Sequence, residues 1–130
     1  MRTSSVFAIF FLAVGITSSD GHDPRSNVQH LPSINQYPRH FRVVWSSIEE
    51  EWRQHAVALD TRFKELPDDL NQDHLLALTN HHLAMETLRT KLERLDRTHP
   101  TVEGGYWLKM MDRELESTRK LRQQIYNSLY

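Results

Sequence analysis

Cysteine is absent from all 130 residues, which removes disulfides, thiol catalysis and thiolate metal ligation together. Glycine is scarce, with only four in the chain, and no glycine-rich loop is present to cradle a phosphate. Neither a Gly-x-Ser-x-Gly elbow nor a His-Glu-x-x-His pair occurs, and Ser46-Ser47 lies mid-helix without a strained turn to expose it. Enzymatic activity is therefore not expected, and nothing calls for a cofactor. No Asn-x-Ser/Thr acceptor is present, so N-glycosylation is not expected. No excess of one charge appears either: 16 basic residues face 17 acidic ones, which gives no electrostatic case for nucleic acid. Period-two alternation is missing, so no strand is expected.

Long apolar runs are also missing, with one exception. Val6 to Ile16 is apolar but for Gly15, follows Arg2, and leads into Thr17-Ser18-Ser19. This is the layout of a secretory signal with cleavage after Ser19, and the run is too short to span a bilayer, which takes about 20 apolar residues. The expected localisation is secreted, extracellular. Residues 20–37 carry Gly21, Pro24 and Pro32 among polar side chains, with Val28, Leu31, Ile34 and Tyr37 too sparse for a core. They read as a flexible N-terminal arm whose end docks through Ile34 and Tyr37.

What remains, residues 38–130, is rich in helical periodicity. Phe41, Trp45, Ile48, Trp52, His55, Leu59, Phe63 and Leu66 recur at three- and four-residue steps, and Pro67 closes the run. Leu78, Met85 and Leu92 then repeat every seven residues, with His74, His81, Leu88 and Leu95 as a companion row. That is the a/d seam of a coiled coil. Asp68 or Asp69 is the expected cap, Asp69 with Gln72 having capping-box spacing. Gly104 and Gly105 weaken the next start by about 1 kcal/mol each. From there Trp107, Leu108, Met110, Met111, Leu115, Thr118, Leu121, Ile125 and Leu129 form the third stripe. The fold class implied is all-α: an up-down-up antiparallel three-helix bundle of long amphipathic helices, at about 39–65, 69–97 and 102–129. Each helix spans about 40 Å at 1.5 Å per residue.

Eight histidines are the chain's one chemical excess. His22, His30 and His40 fall in the arm or its junction. Glu51–His55 and His82–Glu86 have the i,i+4 spacing that could hold zinc if another helix supplied a third ligand. Such pairs arise often by chance in a glutamate-rich helical chain, and no metal site is assigned from them. Equal distances from the two turns place His55, His81 and Thr118 at one height, so a polar layer is expected to cross the middle of the bundle. It would fix register and weaken the fold in acid. Trp45, Trp52 and Trp107 are core or partner-contact candidates, with core the default for aromatics at helical spacing. Arg119-Lys120-Leu121-Arg122 resembles the Arg-x-Leu-Arg motif of secreted pathogen effectors. Here it falls inside the last helix, not soon after the signal, so it carries no reading.

These features imply a secreted, non-enzymatic helical protein that acts by binding an extracellular protein, of the kind found in reproductive fluid, venom, saliva or effector repertoires. Self-association is a further source of stability for a small chain without disulfides. The alternative is an amphipathic-helix carrier of lipid or a small apolar ligand, since Pro38, Pro67 and Pro100 punctuate three helices. Membrane or lipid contact is less favoured, because basic residues do not consistently flank the apolar faces.

Overall fold

The computed structural model describes residues 31–130. The expected signal segment, 1–19, and the arm as far as residue 30 lie outside the described residues. Among those described, three long α-helices and one turn of 3-10 helix (Ile34–Gln36) make up the ordered elements, and no strand is present. The helices are α1 (Arg39–Phe63), α2 (Gln72–Thr98) and α3 (Val102–Leu129). None of them is long and apolar enough to cross a membrane.

Ring and side-chain contacts fix the directions. Phe41 meets His99, His55 meets His81 and Phe63 meets His74, so α1 runs antiparallel to α2. Arg89 grips Asp112 with two parallel hydrogen bonds, Nε to Oδ1 at 2.9 Å and Nη2 to Oδ2 at 3.2 Å. Gln72 bonds the Tyr130 hydroxyl at the far end, so α3 runs antiparallel to α2. The middle helix approaches both neighbours more closely than they approach each other.

The core is the apolar stripe of each helix turned inward. Phe41, Trp45, Ile48, Trp52, Ala56, Leu59 and Phe63 come from α1; Leu78, Met85, Leu88 and Leu92 from α2; Trp107, Met110, Met111 and Ile125 from α3. Burial of such side chains stabilises by about 1.5–3 kcal/mol each relative to exposure. The two flanking rows of α2 divide the work. His74, His81, Leu88 and Leu95 face α1, while Arg89 and Asp96 reach α3 and the turn before it.

The connection between α1 and α2 departs from the sequence reading. The first connection is not a tight turn at Pro67–Asp68 but covers residues 64–71, and α2 is capped by neither Asp68 nor Asp69. The Asn71 side chain accepts the Asp73 and His74 backbone N–H groups, and His74 Nδ1 accepts the Asn71 N–H at 3.2 Å. Leu66 and Leu70 explain the longer path, because both fold back onto the core. At the α2–α3 turn, Thr101 caps α3 by accepting the Gly104 N–H at 2.8 Å. Asp96 accepts the Thr101 N–H at 3.1 Å, and a Cβ on Gly104 would overlap that carboxylate. A side chain at 104 would thus displace the Asp96 carboxylate, whereas Gly105 faces open space.

The described end of the arm is docked. Glu103 holds it with both oxygens, accepting from Ser33 Oγ at 2.9 Å and from the Ile34 N–H at 3.0 Å. Val102 N–H donates to the Pro32 carbonyl at 3.0 Å, and the Tyr37 hydroxyl donates to the Pro100 carbonyl at 3.0 Å. The Tyr37 ring packs at a tilt against Phe41 and edge-on against His99.

Candidate functional site

An open groove of about 660 Å³ runs along the outer seam between α1 and α2. Its floor is Val43, Val44 and Ile48 from α1 with Leu88 and Leu95 from α2. Val43 and Val44 keep 54% and 42% of their surface in solvent, so together they leave an apolar strip open along the groove. The sequence makes this groove because Val43 and Val44 widen the α1 stripe past what α2 can cover. Lys91 and Arg94 stand on one rim and Glu51 on the other, with Ser47 and Thr98 between. Sequence reading missed the groove, since periodicity shows one stripe and not how much of it a neighbour hides.

Further along the same seam His55 and His81 meet. Their Nδ1 atoms lie 2.8 Å apart, and the rings are near perpendicular. Both are half-buried. One ring must donate its Nδ1–H to the bare Nδ1 of the other. Burial lowers the pKa of His81, and His55 and Arg62 beside it push the same way.

Thr118 belongs elsewhere. It is fully buried and its hydroxyl donates to the Glu114 carbonyl of its own helix at 2.9 Å. The expected three-residue layer is therefore distributed: two histidines on the α1–α2 seam and a threonine in the core. Two further polar residues lie in the core, where the sequence reading did not place them. His82 is 4% exposed, with Nε2 donating to Glu86 at 3.2 Å and a buried Nδ1 that has no partner. Its pKa is lowered by burial, with Arg122 and Arg119 adding to the effect and Glu86 opposing it. Glu114 is 3% exposed and one carboxyl oxygen is unpartnered. Burial pushes its pKa up to about 8, with Arg113 opposing and Asp60 adding. The signal for Glu114 was available: Gly104, Trp107, Met111, Glu114, Thr118 and Ile125 follow three- and four-residue steps or their sum. Reading Leu115 as the core position hid it.

Trp45, Trp52 and Trp107 are all core, at 1%, 0% and 3% exposure. The Trp45 indole is directed at Glu49 one turn on. Among the described residues, no group of three or more histidine, aspartate or glutamate side chains is placed to hold a metal ion. His55 and His81 bring two imidazole nitrogens together, one as donor and one as acceptor. No family model matches the chain, and neither does any curated protein or solved structure.

Proposed function

We propose that this is a secreted, non-enzymatic protein that acts by binding another protein, and that the α1–α2 groove is where it does so. The observation that supports the reading is the exposed Val43–Val44 pair on an apolar floor with charged rims. The groove follows α1 from Val43 to Glu51 and α2 from Leu88 to Thr98, a length of about 12–15 Å at 1.5 Å per residue. Two to three turns of a partner helix fill such a length, with apolar anchors at i, i+3 or i+4, and i+7. The rim favours one sign: Lys91 and Arg94 against the single carboxylate of Glu51. The fitting partner is an amphipathic helix with acidic residues beside its apolar anchors.

Selection from a library of displayed helical peptides tests this. Enriched sequences should be amphipathic and acidic, and they should lose binding to Val44→Asp. Lys91→Glu combined with Arg94→Glu should turn the preference toward basic peptides. All three positions are exposed, so these variants leave the core intact. Peptides that bind all variants equally would overturn the proposal.

A further inference from the structure

The outer face of α2, which neither neighbour covers, matches the groove beside it. Leu76 and Leu83 are the two most exposed leucines among the described residues, at 59% and 53%. They stand seven residues apart, so both lie on one line of the helix surface. Asn80 and Thr87, also exposed, continue that line toward Lys91 and Arg94 on the groove rim. Leu88 and Leu95, on the groove floor, are seven residues apart as well. The two pairs are equally far from the middle of α2, which falls between Met85 and Glu86. Turning a second α2 about a two-fold axis at that point sets Leu76 opposite Leu95 and Leu83 opposite Leu88. We propose that a second copy of this chain occupies the groove, through an antiparallel two-fold pairing of α2 helices that seats Leu76 and Leu83 of each copy on the other's floor.

The proposal rests on the reading of that groove as a seat for an amphipathic helix, and it names α2 of a second copy as the helix. The charge pattern fits what the rim asks of a partner. Asp73 is exposed and one turn before Leu76, so the pairing brings it beside Thr98 and Arg94 of the other copy. The two-fold makes two identical ion pairs of this kind. Asn80 falls opposite Lys91, an amide where a second cation would repel. Ala84 and Thr87 oppose each other across the axis, and such small side chains let two helices approach to about 8–10 Å. Glu86 lies near the axis but is bonded to His82, on the side of α2 turned toward α3. Val44 and Ile48 extend the floor under the incoming leucines. Helices overlapping from residue 73 to 98 share roughly 40 Å at 1.5 Å per residue, more than the groove alone. A two-fold contact closes on itself, so assembly stops at two copies.

Sedimentation velocity on the purified protein, from about 1 to 500 µM, should show one monomer–dimer equilibrium. Leu76→Asp and Leu83→Asp change exposed side chains, so helical circular dichroism should hold while both variants stay monomeric throughout. Asp73→Arg and Arg94→Asp should each weaken the dimer by about tenfold or more, and the two together should restore it. Within one chain these positions lie about 30 Å apart at 1.5 Å per residue, so restoration reports contact between copies. The protein has no cysteine, so a single introduced thiol reports the axis. Thr87→Cys should join two chains on mild oxidation, and Asp73→Cys should not. Joining at both positions, a double charge variant that stays weak, or a dimer that survives both leucine replacements would overturn the pairing. A chain that stays monomeric yet binds acidic helical peptides in the groove would overturn the second copy and leave the groove reading standing. A monomer that binds no such peptide would overturn both.

Discussion

At the scale of single residues, Glu114 is the group whose chemistry departs most from its surroundings' needs. Its carboxyl is buried among apolar neighbours, and its pKa of about 8 means it is mostly protonated at neutral pH. The ordinary value is 4.5, so between 4.5 and 8 the unfolded chain has lost a proton that the folded chain keeps. The unfolded state therefore binds fewer protons, and stability falls as pH rises through that window, by about 1.4 kcal/mol per pH unit. Glu114→Gln cannot ionise in either state. It should match the wild type near pH 4.5 and exceed it by about 2–4 kcal/mol at pH 7.5, as read from urea midpoints. Equal stability at both pH values would mean that water reaches the carboxylate. Trp52 is the opposite case, a residue whose environment suits it. It has no exposed surface, and Trp52→Ala should cost about 3–5 kcal/mol, a large part of a typical 5–15. A loss under about 1 kcal/mol in the same denaturant series would place that indole outside the core.

At the scale of elements, the existence of the helices was legible and their faces only partly so. Leu78, Met85 and Leu92 were readable because a seven-residue repeat fixes one face of a helix. That repeat does not say what each flank meets. α2 has two neighbours, and His81 and His82 point about 100° apart, so one faces α1 and the other is buried on the α3 side. The histidine pair was legible because distance from a turn sets height in a hairpin; the buried His82 was not, because height says nothing of face. The α2 start was misplaced for a different reason: local cap chemistry favoured Asp68 or Asp69, but burying Leu66 and Leu70 moved the cap to Asn71. The glycines of α3 separate local propensity from packing in the same way. Gly105→Ala meets open space and should stabilise by up to about 1 kcal/mol through helix propensity. Gly104→Ala gains the same propensity but pushes Asp96 off the Thr101 N–H, so the net effect should be a loss of about 1 kcal/mol or more. Thermal midpoints of the two variants moving the same way would show that the turn rearranges at no cost.

At the scale of the whole molecule, the buried ionisable groups act on stability from opposite sides of neutrality. His81 and His82 have folded pKa values below 6.5. As pH falls below 6.5 the unfolded chain takes up protons that the folded chain resists, so stability is lost toward acid. The groups facing them are known: His55 and Arg62 around His81, and Glu86, Arg119 and Arg122 around His82. Glu114 opposes this from 4.5 up to about 8, and Glu49 and Asp96, both raised by burial, act in the same direction at lower pH. Below pH 6.5 the histidine loss and the Glu114 gain oppose each other, and above it the glutamate acts alone. Stability should therefore fall from about pH 6.5 toward pH 8 and level off beyond. The check is a series of urea midpoints from pH 5 to 9 on the wild type, His82→Gln and Glu114→Gln. His82→Gln should soften the acid side only, and Glu114→Gln should turn the alkaline descent into a plateau. A wild-type curve that keeps rising from pH 6.5 to 8 would show that Glu114 is ionised in the folded chain, and the balance between the two sides would then be lost.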